Sequence, residues 1–162
     1  LTESGAIVTV TDINEERVHQ IGAKYGAKIF TGADLYSADV DIYAPCALGA
    51  TINDNTIHNI KASIIAGAAN NQLANEAVHG KILKEKGILY APDFLINAGG
   101  VINVYSELVN WSREQVMQKT ENIYNTALEI FKFADDNNIT THQAAFSMAQ
   151  KRIDDTKNGL NK

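Results

Sequence analysis

Four side chains that could bind a polar ligand, or react with one, follow short apolar runs of the sequence. Asp12 comes directly after the β-branched run 7–11, and Cys46, Asn71 and Asn97 each follow a later apolar run. An aspartate in this position can accept hydrogen bonds from both hydroxyls of a ribose. An asparagine amide has donors and an acceptor, which suit a carboxamide or a ribose. These positions therefore favour a site for a ligand with sugar and amide groups.

Each of these side chains also has a purely structural interpretation. Asp12 could be a solvated loop residue, or it could assist Asn14 in capping the helix that follows. Asn71 and Asn97 could satisfy nearby loop backbone. Cys46 has no histidine close to it in the sequence, so we expect it to pack along the ligand groove and not to act as a nucleophile.

The runs that precede these side chains are spaced like the strands of a doubly wound α/β sheet. Five apolar or β-branched runs predict strands, at 7–11, 27–30, 40–43, 63–66 and 88–91. The run 7–11 has the pattern of a strand covered on both faces. Three strands end in clusters of small residues with Cys or Asn, and in such sheets ligands bind outside the carboxyl ends of the strands. We therefore expect the clusters to lie at one rim of the sheet.

The stretch 90–104 combines these features most densely. Pro92 ends the last strand, the apolar run 94–96 leads to Asn97, and Gly99 and Gly100 precede a helical spacing. Small residues between a strand and a helix let a flat ligand lie against the main chain. The alternative is a turn that needs glycine only for its own geometry.

The chain is expected to consist of a partial dinucleotide-binding domain, residues 1–110, followed by a helical segment, residues 111–162. Ser112 with Gln115, and Thr140 with Gln143, predict capping boxes, and one helical stripe runs through 116–134. A further short helix is predicted to begin around Asn53. The helical segment carries no catalytic constellation, so packing is its predicted role.

Composition excludes several functional classes. The 162 residues carry a net charge of −5 without a basic stripe, which argues against nucleic acid, and no apolar run is long enough to span a membrane. A single cysteine suits a reducing cytoplasm. The four histidines lie far apart without ligand spacing, so no metal site is expected.

The acid at position 12 favours NAD over NADP, because its charge would repel a 2′-phosphate. A dinucleotide fold should open with a strand and a Gly-x-Gly-x-x-Gly turn about 20 residues before this acid. The eleven residues before Asp12 contain no such turn. We therefore expect a Rossmann-like sheet that lacks its first strand and glycine-rich turn, and that is marginally stable unless another chain completes it.

Four motifs occur in order: VTVTDI from residue 8, DIYAPCALGA from 41, AGAANNQL from 66, and YAPDFLINAGGVINV from 90. Together they resemble the glutamate/leucine/phenylalanine/valine dehydrogenase family, and its leucine-oxidising members most closely. The resemblance implies an oligomeric, cytoplasmic, NAD-dependent enzyme that oxidatively deaminates L-leucine and related branched-chain amino acids to 2-oxo acids, ammonium and NADH. It also implies that the helical segment packs back toward an N-terminal catalytic domain.

The resemblance carries site residues with it. By this resemblance, Asp12 and Ile13 match the adenosine-ribose end of the cofactor site, and Cys46 and Ala47 match the strand end beside the cofactor. Asn71 and Asn97 match positions near the nicotinamide and its ribose. Val101 and Val104 match the pocket for the substrate side chain. Two aliphatic residues suit a branched apolar substrate and would leave a glutamate carboxylate without a partner. Phenylalanine and valine stay open as alternative substrates.

The family's catalytic lysines and aspartate match no residue here, so we assign no catalytic residue to this chain and expect it to be inactive alone. In the complete protein, lysine and aspartate are expected to act as acid and base while hydride leaves the amino acid's α-carbon and the resulting iminium is hydrolysed. Two alternatives remain. One is a non-catalytic, truncated module for dinucleotide binding or oligomerisation, and the other is a different dinucleotide-dependent oxidoreductase on a similar fold.

Overall fold

A computed structural model describes residues 1–159 as two compact units, one of Leu1–Ala38 and one from Asp39 onward. The strands form two parallel sheets, β1 with β2 in the first unit and β3-β4-β5 in the second. The elements are β1 (Thr9–Val10), α1 (Glu15–Tyr25), β2 (Lys28–Ile29), β3 (Ile42–Tyr43), β4 (Ile64–Ile65), α2 (Glu76–Glu85), β5 (Leu89–Tyr90), α3 (Asp93–Ile96), α4 (Gly99–Val109), α5 (Arg113–Glu121), α6 (Ile123–Asp136) and α7 (Thr141–Lys157).

The first unit is a β–α–β arrangement around α1. The side chain of Asn14 accepts a hydrogen bond from the Arg17 N–H and so caps the helix, which Gly26 ends in the left-handed conformation at φ 67°. α1 contacts both β1 and β2. The run 7–11 is not covered on both faces as expected, since Ile7 is 80% exposed. One helix on two short strands can cover only one side of the run.

The second unit is built on three parallel strands. Ile64 and Ile65 of β4 pair with β3 on one side and with β5 on the other. The central strand is the most enclosed, and Ile65 is completely buried. α2 contacts β5, and α7 contacts α2. The α/β class with parallel strands is therefore confirmed, while the absence of a first strand and glycine-rich turn stays a prediction.

A helical core lies within this second unit, where α6 packs on α7 and on α3. Its buried side chains are small or branched: Leu95, Ala127, Ile130, Ala134, Ala144 and Ala145. The alanines let the helix axes approach closely, and Ile130 contributes roughly 1.5–3 kcal/mol by leaving water. The division into residues 1–110 and a packing segment 111–162 stays a prediction, and residues 160–162 lie outside the described part of the chain.

Two local predictions differ from the structure, and one apolar run without a predicted element is helical. The stripe 116–134 is divided at Asn122 into two helices, α5 and α6. Two residues earlier, the Thr120 hydroxyl donates to the Val116 carbonyl, and this bond competes with the backbone N–H that would donate there in a regular helix. Residues 53–60 form hydrogen-bonded turns instead of a helix, because the Thr56 hydroxyl donates to the Thr51 carbonyl at 2.6 Å. The apolar run 94–96 lies in the short helix α3.

Candidate functional site

The loops that follow β3 and β4 are hydrogen-bonded to each other beyond the carboxyl ends of the strands. The Ala69 N–H donates to the Pro45 carbonyl at 3.0 Å, and the Ala50 N–H donates to the Asn71 carbonyl at 2.7 Å. Ala50 and Asn71 have φ values of 55° and 53°, a left-handed conformation that costs an L-residue roughly 1–2 kcal/mol. Such strain concentrates at functional sites, so this junction is a candidate site.

The loop after β5 joins the same edge. The Asn97 amide Nδ2 donates to Asn70 Oδ1 at 2.6 Å, and the Asn71 backbone N–H donates to Asp93 Oδ2 at 2.7 Å. The three strand-end clusters of small residues, Cys and Asn therefore lie at one rim, as predicted. Asn97 partly follows its structural interpretation too, since its Nδ2 also donates to the Ala68 carbonyl at 3.4 Å, whereas Asn71 is bonded here only through its backbone.

Glycine has two different roles at this rim. A side chain at Gly67 would collide with the backbone of Pro45, and a Cβ at Gly49 would lie 2.6 Å from the Asn70 carbonyl oxygen. The chain itself therefore requires glycine at both positions. Around Gly100, by contrast, no atom apart from its chain neighbours and the backbone of its own helix lies within 4 Å of the position of an added Cβ. The missing side chain at Gly100 leaves open space against the main chain, where a ligand could lie.

A buried polar pair underlies the rim. Tyr90 and Asp93 are 4% and 7% exposed, and the Tyr90 hydroxyl donates to Asp93 Oδ1 at 3.2 Å. Burial, together with the charge of the Asp93 carboxylate, raises the pKa of Tyr90 well above its usual range. The Thr141 hydroxyl donates to the Tyr90 carbonyl at 2.6 Å, so the first turn of α7 is fixed to the end of β5.

The predicted cofactor residues divide between the two units. In the first unit, Asp12 follows β1 and accepts a hydrogen bond from the Asn14 N–H at 2.9 Å, which is the capping contact of its structural interpretation. Ile13 beside it is exposed. In the second unit, Cys46 and Ala47 follow β3 and are exposed, so Cys46 does not pack among the side chains of this chain.

The predicted substrate residues lie on one face of α4. Val101 and Val104 are 73% and 64% exposed, and the exposed Tyr105 and Leu108 continue their stripe at helical spacing. The helix begins directly after Asn97 and Ala98. Val101 and Val104 therefore lie in the first two turns of a helix that starts two residues after Asn97, whose side-chain amide is bonded to Asn70.

Asp93 and Asn70 were not predicted from the sequence, although they join the loops to the predicted asparagines. An acid directly after Pro92 at a strand end was a visible signal, but its partner Asn71 is 22 residues away.

Two shallow surface depressions lie elsewhere, one along α7 at Phe146 and one along α5 at Met117. Each is lined by a single helix, and neither includes a predicted site residue, so we assign no ligand to them.

Two further findings concern the described part of the chain. Among residues 1–159, no group of three or more His, Cys, Asp or Glu side chains could hold a metal ion. No helix in that range is long and apolar enough to cross a membrane.

Known proteins resemble this chain along almost its whole length. A leucine dehydrogenase from Geobacillus stearothermophilus is 51% identical over 154 residues, which are 95% of this chain and 42% of that protein. An L-tryptophan dehydrogenase from Nostoc punctiforme is 44% identical over 162 residues, all of this chain and 46% of that protein. The crystal structure of L-tryptophan dehydrogenase from Nostoc punctiforme superposes with a TM-score of 0.89 at 45% identity, over 94% of this chain and 45% of that one.

The chain thus spans less than half the length of the relatives it matches. The profile of the Glutamate/Leucine/Phenylalanine/Valine dehydrogenase family matches residues 4–159. Because this match covers almost the whole sequence, and because the relatives that align with it are amino acid dehydrogenases, the chain belongs to the glutamate/leucine/phenylalanine/valine dehydrogenase family.

Proposed function

We propose that this chain is the NAD-binding part of an amino acid dehydrogenase that deaminates L-leucine and related branched-chain amino acids. The observation that supports this most strongly is the rim at which the loops after β3, β4 and β5 are hydrogen-bonded together. Ligands of open α/β sheets bind beyond the carboxyl ends of parallel strands. The predicted residues Cys46, Asn71 and Asn97 all lie in these loops.

The polar atoms at the rim fit a nicotinamide carboxamide. Asn97 donates from Nδ2 to Asn70, which leaves its side-chain oxygen to accept a hydrogen bond from a ligand amide. The Asn71 side chain is exposed and can both donate and accept. Gly100 adds open space beside the main chain. Cys46 and Ala47 would lie along the cofactor.

Asp12 would accept hydrogen bonds from the hydroxyls of the adenosine ribose. Its capping contact with Asn14 uses one carboxylate oxygen, Oδ1, and the other oxygen can still accept. Ile13 beside it would contact the adenosine. The negative charge of Asp12 would repel a 2′-phosphate, which supports NAD as the cofactor.

A bound NAD would supply the hydride acceptor for oxidation of the amino acid at its α-carbon. In this proposal the residues of this chain bind and orient the ligands. The acid–base groups belong to an N-terminal catalytic domain of the complete protein, which we propose to be a homo-oligomer. The chain alone is expected to show no turnover.

The proposed substrate class depends on α4. Val101 and Val104 present only aliphatic atoms, which suit a branched side chain and offer a glutamate carboxylate no hydrogen bond. The relatives include proteins named for leucine and for tryptophan, so the choice between an aliphatic and an aromatic substrate is the finer part of the proposal.

An assay of the complete native protein, whose intact mass is measured first, tests the proposal. We expect NADH formation with leucine, isoleucine and valine, weaker turnover with phenylalanine and tryptophan, and none with glutamate. NADP should replace NAD poorly in the wild type and better in Asp12→Ser, which removes the repelling charge. Glu16→Gln on α1 also removes one negative charge, so it is the matched control and should leave the cofactor preference unchanged.

The outcomes separate the alternatives. If the protein binds NAD but turns over no amino acid, the result would favour the non-catalytic module. Turnover of a different substrate class with NAD would favour another oxidoreductase on a similar fold. A preference for tryptophan over leucine would keep the dehydrogenase and overturn only the assignment of the substrate.

A further inference from the structure

Asp93 is a buried carboxylate whose two oxygens each accept one hydrogen bond. Tyr90 Oη donates to Oδ1 at 3.2 Å and the Asn71 backbone N–H donates to Oδ2 at 2.7 Å. A carboxylate that is 7% exposed is costly to bury unless its oxygens are satisfied. The two donors therefore explain how the acid is tolerated, but they do not by themselves explain why an acid is there.

The donors differ in what they connect. Tyr90 is three residues away from Asp93 and belongs to the same strand end. Asn71 is 22 residues away, in the loop after β4, and its bond is the shorter one, as expected for an N–H that donates to a charged acceptor. The bond to Asn71 is thus the one through which Asp93 acts on a second loop.

That bond fixes the conformation of Asn71. The residue has φ 53°, and its carbonyl accepts from the Ala50 N–H at 2.7 Å on the opposite side. With both backbone polar groups held, the position of the Asn71 Cα and the direction of its Cα–Cβ bond are fixed. The structure gives that side-chain amide no hydrogen-bond partner among residues 1–159, so it is free for a ligand.

The main chain of Asp93 also contacts the residue that carries the second amide. Asp93 is the first residue of α3, and the Asn97 N–H donates to its carbonyl at 2.9 Å to close that short helix. Asn97 then reaches across to Asn70, the neighbour of Asn71. One residue is therefore bonded through its side chain to Asn71 and through its main chain to Asn97.

We propose that Asp93 is a positioning residue whose carboxylate, through the Asn71 N–H, holds the Asn71 amide beside Asn97 and toward the nicotinamide end of a bound dinucleotide. The inference rests on the proposed function. It predicts that the effect of Asp93 depends on which half of the ligand is present, because the adenosine end is assigned to Asp12 and not to the rim.

The test compares NAD with ADP, which lacks both the nicotinamide and its ribose, by titration calorimetry on the complete native protein. Asp93→Ala should weaken NAD binding by about tenfold, the effect of one lost hydrogen bond to the ligand, and leave the affinity for ADP within about twofold. Asp93→Asn should restore NAD binding, since its side-chain oxygen can still accept from the Asn71 N–H and its amide can donate to the Tyr90 oxygen.

Tyr90→Phe is the matched control. It removes the other hydrogen bond of the same buried carboxylate and leaves the bond to Asn71 intact. It should lower the thermal midpoint without changing the affinity for either ligand. If Asp93→Ala does not fold, Asp93→Ser takes its place, because its hydroxyl is too short to accept from Asn71, and the same selective loss is expected.

Equal losses for NAD and ADP in Asp93→Ala, or a loss of NAD binding in Tyr90→Phe as well, would show a structural role and overturn the inference. Wild-type protein that binds both ligands with no selective loss in the variants would overturn only the role of Asp93. Wild-type protein that binds neither ligand would refute the proposed function and the inference with it.

Discussion

The buried Tyr90 hydroxyl is the group in this chain whose ionisation the fold opposes most clearly. Removal from water and the neighbouring Asp93 charge both raise its pKa above the usual value of about 10. Above that pH the unfolded state binds fewer protons than the folded state, so the free energy of unfolding falls as the pH rises. The stability that Tyr90 contributes is therefore complete below about pH 10 and is lost at higher pH.

Tyr90→Phe tests this linkage. At neutral pH the variant should lose roughly 1–3 kcal/mol, because one Asp93 oxygen loses its donor. Between about pH 10 and 12 its stability should decline less steeply than that of the wild type, since no buried hydroxyl is left to ionise. Urea unfolding at a series of pH values measures both effects. Tyr124→Phe, at a position that is 69% exposed, should keep the wild-type slope; an equal slope in Tyr90→Phe would contradict the prediction.

Among the loops and helices, glycine occurs both where neighbouring backbone leaves no room for a side chain and where the surrounding space is empty. Gly67 is enclosed by Pro45, whereas Gly100, in the first turn of α4, meets no atom that a Cβ would approach. The two positions are thus a natural pair for separating folding from ligand binding.

Gly100→Ala should stabilise the fold by up to about 1 kcal/mol, because alanine loses less backbone freedom in a helix, yet it should weaken NAD binding. Gly67→Ala should destabilise the protein by about 1–3 kcal/mol through overpacking. Urea unfolding and NAD titration of both variants measure these opposite effects. Unchanged NAD affinity in Gly100→Ala would mean that no ligand occupies the open space.

Local patterns predicted much of the architecture. The capping boxes at Ser112 and Thr140 are confirmed, since each pairs with the Gln three residues later. The five strands also lie within the predicted runs. These features depend on neighbours along the sequence, which is the range over which periodicity and capping rules apply.

The missed features depend on partners far apart in the sequence. The bond from Asn71 to Asp93 joins two loops that only the pairing of β4 with β5 brings together. The break at Asn122 has no proline or glycine to signal it. In the candidate site, the rim was predictable from strand ends, whereas Asp93, which accepts a hydrogen bond from the Asn71 N–H, was not.

The two compact units differ greatly in how much apolar surface they bury. Val18 is the only buried residue among residues 1–38, whereas the second unit contains the sheet core around Ile65 and the core shared by α6 and α7. Apolar burial is the main favourable term in folding, so the units should differ in local stability.

Hydrogen exchange should show this difference in one experiment. Backbone amides of α1 and β2 are expected to exchange through local opening, with protection well below that of the facing turns of α6 and α7 and of Ala66 and Ala91, whose N–H groups donate to the Tyr43 and Ile65 carbonyls. Exchange followed by mass spectrometry resolves the two sets of peptides. Equal protection in both units would show that residues 1–38 are held by more than their own small core.

The exposed stripe of α4 has a consequence for how the family diversifies. Val101 and Val104 contribute little to the packing of this chain, so replacing them should cost little stability. Residues that select a substrate but do not support the fold can change freely under selection. If Val101 and Val104 line the substrate pocket as proposed, substitutions at these two positions of α4 could change the preferred amino acid without a compensating change in the core.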